Sequence, residues 1–426
     1  MARFLIGLLF FSAAAAAAAP PPLPPPPASC SGRVNVQPPL DGDAAQPVAA
    51  VANGTRWSVA GANLSTPLTV LHLYGDVYSM NFAYGALMAA EVQLAVPATL
   101  LYLFQQVNAS YNLSWLPEPV RDWVVEYGVE AALDYTFNAT LPFTPPHWAD
   151  AVAGLAAGSG VGAADIRRVA MLAEWTRAQC SMLGAWGAAS ATGGLVQLRA
   201  LDWDTDGPFQ QWPVLAVYHP DAAATGGGVA HATLGWAGML GAITGVSAAG
   251  VGISEKVWDA YSGPYSALGY AWNLLLQDAL MFDTDTDQVL SRIASANRTC
   301  SIWIGVGDAR GNGGGGSFKA IGYSSTTVAI YNDRNCRKCA DGRPPTTRGF
   351  LTPAPHHLLY SDLPESRPLR EPGLHQQARA ALGRALHERP AARRLRRHLR
   401  PARDAVRDRA RADGRHAHHG HGLQSL

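Results

Sequence analysis

The chain has 426 residues, 48% of them hydrophobic and 15% charged, with a formal net charge of +1. That much apolar material supports a large core and excludes both a disordered polyelectrolyte and a basic protein built to bind polyanions such as nucleic acid. The near-neutral sum hides an uneven distribution, because residues 352–426 hold 15 of the 30 arginines and 9 of the 13 histidines and sum to +8, leaving residues 1–351 at −7. Five cysteines in a chain of this length are too few for a disulfide scaffold.

Residues 1–19 carry one charge, Arg3, then an apolar run and seven consecutive alanines, the layout of a secretory signal peptide. The run is too short for a membrane span and no later stretch reaches span length, so no transmembrane segment is expected and the product is expected to enter the secretory pathway. Sequons at Asn53, Asn63, Asn108, Asn112, Asn138 and Asn297 agree with that route, five of them falling before residue 140. Residues 20–48 are Pro-rich and read as an extended linker.

Apolar residues at helical spacing over 72–104, 118–137 and 147–158 predict a mainly helical portion through residues 49–179. The texture changes at Cys180. Short β-branched runs punctuated by glycine predict strands near 195–203, 214–218, 249–254, 301–306, 318–323 and 326–332, with helices at 268–281 and 288–297 between them. The expected class is α+β, with sheets covered by helices over 180–351. Glycines at 311 and 313–316 predict a hairpin loop; no Lys-Ser/Thr follows in the phosphate-loop pattern. Residues 352–426 turn to Arg, Ala, Pro and His. They read as a disordered extension or as the product of a shifted reading frame, ahead of a metal-binding tract through 415–421, so neither metal nor cofactor is expected.

The chemistry concentrates in residues 180–206, CSMLGAWGAASATGGLVQLRALDWDTD. A cysteine opens one segment, Gly193 and Gly194 reverse it, and the return brings Arg199, Asp202 and Trp203 back towards the start. A thiol beside a guanidinium is held more readily as the nucleophilic thiolate, and a carboxylate nearby orients an amine. From spacing alone, a buried structural cysteine competes with a catalytic one. Trp175, Trp186, Trp203, Trp212, Trp236 and Trp258 surround the region, as core or as a wall for an acyl chain. His219 and His231 read as structural, and Glu255 with Lys256 reads as a pair at the surface or at a strand end. Cys336 and Cys339 read as a local disulfide in a polar loop.

The Cys-Ser start with Arg199-Ala200-Leu201-Asp202-Trp203 resembles the RNxDW element of cysteine N-terminal-nucleophile hydrolases, with alanine at 200 where that element has asparagine. The segments QLRALDWDTDGPFQQWP, VYHP, LGWAGMLGAITGVS and GISEKVW are similar to those of acid-ceramidase-like proteins of amoebae, in the penicillin-acyltransferase-like group, over about residues 70–335. The resemblance implies an αββα sandwich and a precursor that cuts itself between Gln179 and Cys180 into two chains that stay together. It implies Cys180 as nucleophile, its own α-amine as base, Arg199 as the neighbour stabilising the thiolate or substrate, and Asp202 as the partner of the amine. An α-amine, with an ordinary pKa of roughly 8, suits that role near neutrality. Where related chains carry an oxyanion-binding asparagine in a T-G-M-N-like turn, this one has Thr244-Gly245-Val246-Ser247, so Ser247 and Trp203 are pocket candidates; Asn297 is a candidate second asparagine or a glycan site. The implied activity is hydrolysis of an N-acyl amide of the ceramide or N-acylethanolamine type. The alternatives are acyl transfer, phospholipase-B-like ester hydrolysis, or a non-catalytic glycoprotein that binds lipid.

Overall fold

The structure is a computed structural model that describes residues 45–59, 67–110, 118–175, 179–190, 192–202, 207–258, 261–332 and 350–351. The proposed signal peptide, most of the Pro-rich segment, the Arg/His-rich tail, Asn63, Asn112, Trp203, Cys336 and Cys339 lie outside the described residues, as do the side chains of Asn108, Gln179 and Asp202.

The described chain is α+β and centred on a large mixed sheet. It opens with three strands, β1 (Ala45–Val51), β2 (Gly54–Val59) and β3 (Leu68–Gly75). The last four residues assigned to the linker are thus strand, and the portion read as mainly helical begins with sheet. At Gly75 a left-handed φ of +110° turns the chain, and Asp76 caps the next helix by accepting a hydrogen bond from the Ser79 N–H at 2.7 Å. Helices α1 (Val77–Leu87), α2 (Ala89–Ser110), α3 (Glu118–Thr140), α4 (His147–Ser159), α5 (Ala163–Ala170) and α6 (Leu172–Trp175) follow.

From residue 179 onward strands dominate: β4 (Gln179–Ala185), β5 (Val196–Asp202), β6 (Pro213–Pro220), β7 (His231–Trp236), β8 (Thr244–Ser247), β9 (Val251–Val257), β10 (Ser301–Asp308), β11 (Ser317–Ser324), β12 (Val328–Tyr331) and the short β13 (Phe350–Leu351). Among them lie α7 (Ala222–Thr225), α8 (Trp272–Phe282) and α9 (Thr286–Ser295). Ten strands form one sheet in the order β1-β2-β3-β6-β7-β8-β9-β10-β11-β12, antiparallel except where β3 runs parallel to β6; β13-β4-β5 form a second, antiparallel sheet. The large sheet therefore contains strands from both sides of residue 180.

The alternation of side chains along β10 shows how the layers assemble. Ile302, Ile304 and Val306 point into the main core, with Leu71, Leu73, Val251 and Ile253 from neighbouring strands and Met80, Tyr84, Leu275 and Leu280 from the helices. Trp303 points the other way and joins Met182, Trp186, Phe318 and Ala320 in a second apolar cluster between the two sheets. The small sheet can lie close because glycine faces it: a Cβ on Gly184 or Gly305 would overlap the Phe318 ring. Gln197 stitches the sheets together, its amide nitrogen donating to Ser254 Oγ at 2.9 Å and to the Gly305 carbonyl at 3.2 Å. Among the described residues no single helix is long and apolar enough to cross a membrane.

Candidate active site

Strand β4 places Cys180, Met182 and Gly184 on its face towards the large sheet, and Gly193, in a left-handed turn with φ +71°, lets β5 return antiparallel to it. The register pairs Cys180 with Leu201, Met182 with Arg199 and Gln179 with Asp202. Arg199 is thus the diagonal neighbour of Cys180 on the same face, within reach of a long side chain. One of its terminal nitrogens donates to Cys180 Sγ at 3.1 Å. The thiol is buried and in no disulfide. A guanidinium at hydrogen-bonding distance favours the thiolate, the form that attacks carbonyl carbon.

The third member of the arrangement is Glu255, in β9. Arg199 Nε donates to the Glu255 backbone carbonyl at 3.1 Å, and the nitrogen that meets Cys180 also lies 3.4 Å from Glu255 Oε2. Strand pairing explains why the carbonyl is available. The last β8–β9 pair is Thr244 with Ser254; the Glu255 N–H still bonds the Ile243 carbonyl, leaving the Glu255 carbonyl, on the same edge, for the arginine. Both side chains are almost fully enclosed, at 5% and 4% exposure. Burial pushes the Glu255 carboxyl up to about 7, although Arg199 and Lys256 pull it down. Its Oε1 has no hydrogen-bond partner among the described residues.

Glu255 and Lys256 do lie near the end of β9 but not at the surface: both are buried, and Glu255 is joined to Arg199. The register decides this, since β9 is enclosed between β8 and β10 and its seven residues pair continuously with β10. A charged dipeptide inside an apolar β-run was the available signal, because glutamate is rarely buried without a partner.

Of the other candidates, Asp202 closes the hairpin opposite Gln179, beside the Gln179–Cys180 peptide. Asn297 is exposed, its backbone carbonyl accepting from the Tyr270 N–H at 2.8 Å. Ser247 is buried on β8, where its hydroxyl accepts from the Val251 N–H at 3.3 Å. Asn53, in the β1–β2 turn, and Asn138, on α3, are exposed. The tryptophans divide: Trp186 and Trp258 line the inter-sheet cluster with Trp303, whereas Trp175 and Trp236 belong to the core on the helical side. His219 hydrogen-bonds His72 at 2.9 Å, and His231 stacks on Tyr218 with centroids 5.0 Å apart. A cavity of about 410 Å³ lies elsewhere, at the β1–β3 side, with the Arg56–Glu91 ion pair (2.7 Å), Met88 and Trp212 in its wall.

Together these residues define an α+β protein with a buried cysteine–arginine–glutamate site between two sheets. No family-level sequence model matches the chain. Two curated proteins of Dictyostelium discoideum are similar to it: protein dcd1B, 33% identical over 320 residues that cover 74% of this chain and 60% of that protein, and protein dcd1A, 37% identical over 273 residues that cover 63% and 61%. The chain spans about three fifths of the length of these relatives.

Proposed function

We propose that the chain is a self-processing amidase of the cysteine N-terminal-nucleophile type, acting on an N-acyl lipid in the lysosome or outside the cell. The observation that carries this reading is the buried hairpin in which the Arg199 guanidinium meets Cys180 Sγ at 3.1 Å. The same reading takes residues 180–351 as the nucleophile-bearing chain and 49–179 as its companion. It completes the helical layer and the two facing sheets to an αββα sandwich.

In the precursor, the Cys180 thiolate attacks the carbonyl carbon of Gln179. The peptide C–N bond breaks as the C–S bond forms, and the departing nitrogen takes a proton to become the α-amine of Cys180. Water then hydrolyses this thioester, leaving a carboxylate on Gln179 and restoring the thiol. In turnover the α-amine accepts the thiol proton, and the thiolate adds to the substrate carbonyl. Collapse of the tetrahedral oxyanion expels the amine product, which leaves with that proton. Water releases the fatty acid from the second thioester. Arg199 stabilises the thiolate and the oxyanion that follows it, and Asp202, opposite Gln179 in the ladder, holds the new α-amine. The exposed position of Asn297 supports the glycan role of its sequon over a place in the pocket.

Denaturing electrophoresis with N-terminal sequencing of the expressed chain, at acidic and neutral pH, tests the proposal beside a Cys180→Ala control. The expected result is a fragment beginning at Cys180 from wild type and an intact variant. A folded wild type that stays whole in both conditions would overturn self-processing.

A further inference from the structure

Lys256 is 7% exposed, yet its ammonium has no hydrogen-bond or ion-pair partner among the described residues. The strand register gives its surroundings. Lys256 shares a face of β9 with Gly252 and Ser254, the face that meets the small sheet, and stands directly opposite Trp303 on β10. Trp303 packs against Met182, two residues beyond the nucleophile, and against Trp258, two residues beyond Lys256, with ring centroids 4.8 Å apart. The preceding residue is Glu255, which shares a nitrogen of Arg199 with Cys180. The Lys256 Nζ is not among the enclosed polar atoms that go unpaired, so the tip of the side chain reaches accessible space while its stem is covered.

Arg199 has a carboxylate at ion-pair distance, whereas among the described residues Lys256 has none that close and meets Glu255 only through its longer-range field. We infer that Lys256 receives an anionic group of the substrate: resting on the amidase reading above, the preferred substrate is an N-acyl compound whose amine-side head group carries a carboxylate or phosphate. The assignment to the head group follows from chemistry. An acyl chain is apolar and suits the tryptophan and methionine surface, so of the two ends of the substrate only the head group can bring an anion to the ammonium. A head group of ethanolamine or sphingosine type would leave the ammonium unpaired; a glycine-type head group would satisfy it.

The test compares N-dodecanoylglycine with N-dodecanoylethanolamine, which share acyl chain and amide and differ chiefly in charge. Binding is measured by calorimetry to the intact Cys180→Ala chain, so that no turnover is needed. The acylglycine is expected to bind on the order of 10- to 100-fold more tightly, as for a hydrogen bond to a charged group, and the advantage should shrink as salt rises. Adding Lys256→Met, which keeps a stem against Trp303, should equalise the two ligands, while Lys256→Arg should keep most of the preference. Equal binding of the two ligands, no binding of the acylglycine, or a preference untouched by Lys256→Met would overturn the inference. Should the methionine variant fail to fold, Lys256→Gln on the Cys180→Ala chain decides in its place: a preference that survives this substitution overturns the inference as well. Turnover of either amide by wild type is measured separately. Preference without any hydrolysis would remove the amidase reading and leave Lys256 as an anion site, whereas hydrolysis without preference would do the reverse.

Discussion

Two largely buried arginines of this protein are partnered in opposite ways. Arg168, on α5, is surrounded by carboxylates: it grips Asp134 through two bonds of 2.9 and 2.8 Å and lies 3.1 Å from Asp165 and 3.3 Å from Glu130. Burial works against its charge, but the bonds to Asp134 and the fields of Glu130, Asp134 and Asp165 more than offset this and hold it above the usual range. Arg199 has one carboxylate, itself pushed up to about 7 by burial, with a backbone carbonyl and a thiol. The first arrangement is saturated and suits a clamp between α3 and α5. The second gives the cation one carboxylate and sets it against a thiol, which is what a site needs if negative charge is to develop beside it.

That contrast is breakable by experiment. Arg199→Met should abolish most activity, lowering kcat on N-acyl substrate by on the order of 100- to 1000-fold, the scale seen when a donor to a developing oxyanion is removed. Arg168→Met should leave kcat within about threefold. The order reverses for part of the stability. Arg168→Met should cost about 1–3 kcal/mol in urea unfolding, the lower bound reflecting the half-exposed Asp134, whose share is screened by solvent.

The cost of Arg199→Met should depend on pH, because it leaves Glu255 buried and alone. With Arg199 in place the folded carboxyl titrates at about 7, above its ordinary 4.5, so the stabilisation owed to its neutral form is fully present below about 4.5 and is lost as pH rises through 7; losing Arg199, which pulls it down, raises it further. The variant should therefore be nearer wild type at pH 5 than at pH 8. Arg199→Met with Glu255→Gln should recover stability at pH 8 without recovering activity. The smallest expected effect is that of Glu255→Gln alone. Wild-type Glu255 is already largely neutral at pH 5, so the two pH–rate profiles should run together in acid and separate only above about 7. Separation throughout the acid range would show that the carboxylate form is needed there.

The same contrast explains what could be read from the chain in advance. Cys180 and Arg199 were legible because their proximity needs only one local event, a reversal at Gly193 and Gly194. Strands β10 and β11 and helices α3 and α4 were legible from composition and period. Strand β3 was hidden because the apolar run LTVLHLYG passes almost directly into the equally apolar α1, and a run buried on both sides has no period to distinguish strand from helix. Glu255 and Lys256 were hidden for a different reason. Their burial is set by β10 and the small sheet, drawn from distant stretches of sequence, and local reading assigns charges to the surface by default.

The parallel pairing of β3 with β6 carries one more consequence. Seven residues of β3 lie in register with Val214–Pro220, and Glu174, on α6, accepts from the Trp272 N–H at 2.9 Å and the Thr299 hydroxyl at 2.7 Å. Under the proposed scission after Gln179, these ties would join two separate polymers. Cutting would sever the chain without parting the sheet, and assembly would then depend on a sequence of events that the mature product can no longer repeat. An intact precursor returns from denaturant by a first-order search, while the cut form must find its other half in solution. Recovery after unfolding should accordingly depend on concentration for the cleaved protein and not for the Cys180→Ala chain, so that maturation would turn an equilibrium fold into one preserved by its history.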